Sequence, residues 1–496
     1  MTPQVKVLIE GLYEAFDHVR QDLLLARIER RSMLSQGSVS ELPDTAHIRK
    51  SVWKVDDLPE ALLERRVELI GGANRSELIT GLNAGAKSYI ADLWNFTAQD
   101  TWSILRAHKN LAGASKRDLA FLDTREGRVR VNPSTTTRLM IVPRPLYIHE
   151  AAFSIDNDPI PAAFFDLVVF LTGCGAELIE RQGGIFLYLR DVQGHLEARL
   201  WATMIAFLEE QLGYPRGAVR ATVMIDSIAA ALEADEILFE LIHHAAGLSL
   251  DPQGYAADHI ALFQGSEQPV LPDRETIGLN AHFLRALSLN TIGICHRRGC
   301  HAMGAPSFVL PSLDHGKVKS SYLEMLADKE REAVDGHDGT LVVHEDMVNA
   351  SMVEFNKSMP RAHQLNYERS DGITAAQLVQ RPEGPITVES LKSILRTAVR
   401  SLMQREEGKG WVIQGGRVHD RSSLLLAIRL IWQWTHSKQG IITATNLPVT
   451  VDIIKFMLRK EADKMYEVAD PTIKKQVDRA MTYIVEMTGG EGVPML

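Results

Sequence analysis

IFLYLRDVQGHLEARLWATMIAFLEEQLGYPRGAVRATVMID, residues 185–226, begins and ends on a short apolar run that closes on charge. The two runs are IFLYLRD (185–191) and ATVMID (221–226). Between them, LEARLWATMIAFLEEQLG repeats its apolar positions at helical spacing. A run apolar on both faces suits a strand covered on both sides, and parallel strands need a crossover between them. The segment predicts a strand–helix–strand unit.

The same unit recurs outward in both directions. Further runs are VELIG (67–71), SYIAD (88–92), RLMIVPR (138–144), GLSLD (247–251), CHAMG (300–304) and TLVVH (340–344). Helix-length segments such as FFDLVVFLTGCGAELIERQ separate several of them. Eight strand candidates over roughly 280 residues predict an α/β fold, a (β/α)₈ TIM-type barrel over 65–374; a doubly wound sheet is the alternative. Residues 4–31 predict a helix with Val5, Leu8, Leu12, Phe16, Val19 and Leu23 on one side, and Ser32 to Glu64 reads as partly extended. Residues 1–64 thus form an N-terminal helical arm. Beyond 375 the strand runs stop, and TVESLKSILRTAVRSLMQ, DRSSLLLAIRLIWQW, TVDIIKFMLRKEADKMY and DPTIKKQVDRAMTYIVEM are helical in period. They predict a C-terminal all-helical domain over 375–496.

Composition narrows the function classes. The 496 residues are 45% hydrophobic and 24% charged, as in ordinary globular proteins, with a net charge of −9. No basic block is present, which argues against a nucleic-acid partner. Cys174, Cys295 and Cys300 are too few for a disulfide framework and match no zinc spacing, so a reducing, cytoplasmic setting is expected. The opening MTPQVKVLIEGLYEAF is amphipathic rather than a signal peptide, GVPML is not a peroxisomal address, and no apolar run suggests a membrane span.

Barrels of this kind carry their active sites at the C-terminal ends of the strands. The predicted strands end in Asp92, Arg144, Arg190–Asp191, Asp226, Asp251 and His344. Each alone could be a turn former; together, several carboxylates and an arginine on one rim suggest an anion and metal site.

Five segments in order carry a resemblance: YPRGAVRATVMI (214–225), CHRRGCHAMGAPSFVLP (295–311), ADKEREAVDGHDGT (327–340), GHDGTLVVH (336–344) and IWQW (431–434). They resemble the malate synthase family, its shorter isoform A enzymes in particular, from about residue 20 to beyond 460. The resemblance implies condensation of acetyl-CoA with glyoxylate, then hydrolysis of the malyl-CoA thioester. It implies a carboxylate base, an arginine for the enolate oxygen and magnesium to polarise glyoxylate.

By that resemblance Arg144, in VPRPLYIHE, is the arginine, with Pro145 in place of the family's glycine. Asp420, in VHDRSS, is the base, twelve residues before Trp432, with His419 replacing the family's glutamate. Asp420 also reads as a helix N-cap, a compatible role. The first metal ligand, a glutamate in the family, is Asp226. The second falls on Gly254, with Asp251 and Asp258 near enough to substitute; Asp226 and Asp251 are the expected metal pair. ADLWN (91–95) keeps Asp92 where the family has ADFED. Two other readings stay open: an enzyme condensing acyl-CoA with another 2-oxo acid or cleaving such a product, and a non-catalytic relative. Arg144 and Asp420 argue against the last, Gly254 for it.

Overall fold

The structure is a computed structural model describing residues 2–36, 44–124, 127–264, 270–311, 313–314, 317–369, 371–466 and 471–496. Part of the stretch read as extended, 37–43, lies outside the described residues. All eight predicted strands form, in order: β1 (Val67–Gly71), β2 (Ser88–Asp92), β3 (Arg138–Val142), β4 (Ile185–Leu189), β5 (Val219–Ile225), β6 (Ala245–Leu250), β7 (His301–Ser307) and β8 (Gly339–Val342). Each pairs in parallel with its sequence neighbour, and β1 pairs with β8 to close the barrel. The doubly wound alternative is excluded by that closure. In the opening unit Ile185–Leu189 lies opposite Val219–Val223 in unbroken register, and both strands are buried throughout. Continuous burial is the reason these strands read as apolar runs rather than alternating ones.

The barrel interior is not wholly apolar. Arg65 and Glu68, both fully buried, form a two-pronged ion pair at 2.9 Å. Arg65 also donates to the Tyr188 hydroxyl at 2.8 Å and to Thr222 at 3.0 Å, and Glu68 accepts from Ser88 at 3.0 Å. Such a pair holds because each partner neutralises the other's desolvation. Arg65→Met is therefore expected to lower unfolding free energy by about 3–5 kcal/mol, because it strands a buried carboxylate. Urea unfolding midpoints of the two proteins measure this.

Helices wrap the barrel. One of them, Ala162–Gln182, is long and apolar enough to cross a membrane by length and composition, a case the reading of apolar runs did not pick out. It is mostly buried within the protein, the position of a core helix. The predicted N-terminal helix spans Pro3–Ser35. It packs on the barrel's outer helices through Phe16 against Phe207, 5.7 Å between ring centres, and through Arg27 paired with Glu197 at 2.7 Å. The C-terminal part holds helices Val388–Glu406, Arg421–His436, Val451–Tyr466 and Pro471–Gly489. Two short hairpins accompany them; Val412–Gln414 with Arg417–His419 delivers the chain to Asp420.

Most of the segments that carry the resemblance build scaffold. Arg298 of CHRRG pairs with Asp235 at 2.6 Å, donates to the carbonyls of Ile48, Arg49 and Ser51, and stacks on Trp53 at 4.1 Å. Asp338 of GHDG accepts from His296 at 3.1 Å and from the Ala302 and Gln364 N–H groups. Gly339 follows because a Cβ there would lie 1.9 Å from the Arg65 carbonyl oxygen. Lys329 of the ADK run inserts between the Ala305 carbonyl, 2.6 Å away, and the Thr340 hydroxyl at 2.7 Å. Trp432 and Trp434 donate to the carbonyls of Gly490 and Leu271, tying helix Arg421–His436 to its neighbours.

Candidate active site

Five carboxylates converge near the C-terminal ends of the strands. Asp92 ends β2, Asp191 follows β4, Asp226 follows β5, Asp251 follows β6, and Asp420 arrives from the C-terminal part. Asp420 is 2% exposed and caps helix Arg421–His436: its Oδ1 accepts the Ser423 N–H at 2.9 Å. Its Oδ2 has no donor among the described residues. Burial, and then the nearby Asp251 carboxylate, push its pKa up to about 6. Cap and candidate base thus coincide, since one oxygen serves the helix and the other is free. The adjacent His419 is neutral, because burial and Arg274 pull it down to about 3.

Arg144 follows β3 and makes its contacts within its own part of the rim. Its guanidinium is turned toward the start of helix Ala162–Gln182, where Nε and Nη2 grip Asp166 at 2.9 and 2.8 Å and Nη1 meets Glu150 at 2.8 Å. Asp166 also contacts His108 at 3.0 Å, and its carboxyl, though buried, is held well below the ordinary carboxylate range by Arg144 and His108. Arg144, to which the resemblance assigns the enolate, is held in this structure by a buried network. The physical reason is that Asp166 and Glu150 engage three of its five N–H donors in a buried, charge-assisted network. Arg144→Lys is expected to lower stability by about 2–3 kcal/mol, since a lysine cannot reproduce the fork, while KM and kcat of the folded fraction stay near wild type. Melting curves read beside steady-state rates check this.

The guanidinium that meets the rim carboxylates is Arg190, 5% exposed, read from the sequence only as a strand end. Its Nη1 lies 2.5 Å from Asp251 Oδ2 and its Nε 3.3 Å from Asp92 Oδ2. With the Asn95 amide oriented to satisfy both its ends, Asn95 Oδ1 accepts from Nη1 at 3.2 Å and Nη2 at 3.3 Å, and from the Ser422 hydroxyl at 2.8 Å. The next residue, Asp191, adopts a left-handed backbone with φ 54°, which aims its N–H at Asp226 Oδ2 at 2.8 Å.

The expected metal pair is changed by this arginine. Asp251 Oδ1 caps helix Pro252–Leu262, accepting the Gln253 and Gly254 N–H groups, and Oδ2 is taken by Arg190 and by Ser422 at 3.3 Å. Asp92 Oδ1 accepts the Trp94 and Asn95 N–H groups. Asp258 is bound by Arg31 at 2.5 Å and by the Ile228 N–H. Of these four aspartates, Asp226 alone keeps an oxygen, Oδ1, without a donor among the described residues, as Asp420 does with its Oδ2. At Gly254 a Cβ would lie 3.0 Å from Asp226 Cβ and 3.1 Å from Asp251 Oδ2, so a side chain there would press on both aspartates. Among the described residues no group of three or more His, Cys, Asp or Glu side chains is arranged to hold a metal ion. Magnesium takes oxygens in near-octahedral order at about 2.0–2.1 Å. With the Arg190 guanidinium already on Asp92 and Asp251, the residues present do not fit it.

A cleft of about 660 Å³ opens beside this rim, lined among others by Gln253, Arg274, Ser307, Arg417 and His419. It reaches the immediate neighbours of Asp251 and Asp420. Arg274 hydrogen-bonds Gln253 at 3.2 Å, and burial beside Arg417 brings its pKa down to about 10. A pair of arginines facing one cleft favours an anionic ligand.

Residues 138–381 match the family model described as malate synthase, TIM barrel domain. Malate synthase of Streptomyces clavuligerus is 32% identical over 478 residues, covering 94% of this chain and 88% of that protein. Malate synthase A of Escherichia coli (strain K12) is 29% identical over 465 residues, covering 93% and 87%. A solved malate synthase of Haloferax volcanii, in a pyruvate and acetyl-CoA ternary complex, aligns over 84% of this chain and 98% of its own, at 13% identity and a TM-score of 0.49. The chain belongs to the malate synthase family.

Proposed function

We propose that this chain condenses acetyl-CoA with glyoxylate and releases malate and CoA, with Asp420 as the base. The observation that supports it most is Asp420 itself: a buried carboxylate at the rim, one oxygen held by a helix cap and the other free. Asp420 Oδ2 takes a proton from the acetyl methyl. The enolate carbon bonds to the aldehyde carbon of glyoxylate, and water then cleaves the thioester to malate and the CoA thiol. A base with a pKa near the working pH accepts the proton with little driving-force penalty. The cleft with Arg274 and Arg417 admits the acyl-CoA, whose phosphates suit paired guanidiniums. Arg144 ties segment 144–150 to Asp166, a structural role. Since its residues do not fit magnesium, no step is assigned to a metal. A cytoplasmic setting accords with three buried, free cysteines.

The test is acetyl-CoA-dependent thiol release across glyoxylate, pyruvate, 2-oxobutyrate and oxaloacetate, with and without magnesium. Turnover with glyoxylate is expected to exceed that with the others; none with any acceptor would sink the proposal. The rate is also expected to fall as pH drops through about 6, because Asp420 must be deprotonated to act. A kcat profile flat through that range would remove Asp420 from the role.

A further inference from the structure

We propose that Arg190 is a built-in cation occupying the place on this rim where the family's chemistry calls for a divalent metal, so that this chain binds no magnesium there. The inference rests on reading this rim as the reaction site. The first observation is occupancy. Arg190 meets Asp251 at 2.5 Å, Asp92 at 3.3 Å and Asn95 at 3.2 and 3.3 Å, while itself 5% exposed. A dication placed among those oxygens would stand against a permanent positive charge with almost no solvent to screen it.

The second observation is that the carboxylates are spent. Both oxygens of Asp92 and both of Asp251 already accept hydrogen bonds, from four backbone N–H groups, Arg190 and Ser422. The third is steric. Gly254, at the place the resemblance gives to the second ligand, supplies no carboxylate, and a side chain there would press on Asp226 and Asp251 at 3.0 and 3.1 Å. The guanidinium, the engaged oxygens and the absent carboxylate at 254 bear on the same space.

The chemistry follows from the geometry. A guanidinium can do electrostatically much of what a metal does for a 2-oxo acid, by holding its carboxylate and polarising the carbonyl oxygen. Nη2 is the nitrogen of Arg190 with no carboxylate partner; its remaining N–H is the donor left for the acceptor's oxygens. The charge cannot dissociate, so the site is set at all cation concentrations, whereas a metal site loads and empties.

Mn²⁺ is the probe, titrated into the full chain and followed by the loss of its free-ion electron paramagnetic resonance signal. Wild type is expected to leave that signal undiminished at millimolar Mn²⁺, with no rise in Tm on adding Mg²⁺. Tight binding of one equivalent by wild type, weakened by Asp226→Asn, would overturn the inference. Arg190→Met removes the charge at similar length and is expected to gain a Mn²⁺ site. A folded Arg190→Met protein without that gain would also overturn the assignment. Should that variant not fold, the wild-type titration decides alone. Thiol release in chelator is measured beside it and is expected to match the untreated rate. An absence of thiol release with every acceptor sinks the proposed reaction instead, and the Mn²⁺ result still decides the role of Arg190.

Discussion

Asp420→Asn is expected to abolish condensation and, at neutral pH, to make the protein more stable. The variant removes the proton acceptor without changing size, and general-base catalysis contributes about 10²–10⁴-fold. The stability gain comes from the same burial that tunes the base. Holding a carboxylate where its pKa rises to about 6 costs the folded, ionised state about 3 kcal/mol at neutral pH, and asparagine has no such charge. Asparagine is also as good a helix cap as aspartate, so the Ser423 N–H keeps its acceptor. The pH dependence has a definite sign. The folded value lies above the unfolded one, so the wild-type carboxyl favours folding at low pH and that contribution is lost as pH rises through about 6. The Asn variant's advantage should therefore grow from about pH 4, near the unfolded value, to a little above pH 6 and then level off. Urea unfolding of both proteins across that range measures it. An Asp420→Asn protein less stable than wild type at neutral pH, or active within about threefold, would show the residue to be a cap alone.

Arg190→Met is expected to be the most destabilising single change on the rim. It leaves Asp92 and Asp251, which are 0% and 1% exposed, without their common cation. Breaking a buried pair from one side costs about 3–5 kcal/mol, because the surviving charge is uncompensated. Here two carboxylates lose one partner, so the upper part of that range applies. Burial already raises the Asp92 pKa even with Arg190 beside it. Without the guanidinium it rises further, and the variant should be least stable at neutral pH and recover part of the deficit as acid protonates the rim. A uniform deficit across pH would mean the loss is one of packing rather than charge. Turnover should fall as well, since Arg190 is the rim's own cation.

The sequence and the structure divide this protein along a physical line. Eight strands, their order and the barrel they close were legible because a strand covered on both faces must be apolar along its whole length, and that constraint is local. The family was legible for a related reason. Arg298, Lys329, Asp338 and Gly339 answer to fixed backbone positions, and a residue that must reach a particular carbonyl, or have no Cβ at all, leaves a motif. Asp420 was legible too, because a capping position is written in the first turn of its helix.

What only the tertiary structure decided is where the charges end up. Arg144 stands at a strand end like Arg190, and nothing local separates them. Asp166, 22 residues on, draws the one into a buried network. Asp92 and Asp251, 98 residues before and 61 after, hold the other on the rim. Asp251 was read as a metal ligand, and the fold makes it a helix cap and an arginine's partner. Electrostatic partners are chosen by distance in space, over which neighbours in sequence have no say. Hydrophobic periodicity therefore determined the scaffold, and the ion pairing that the closed barrel imposes determined what its rim can bind.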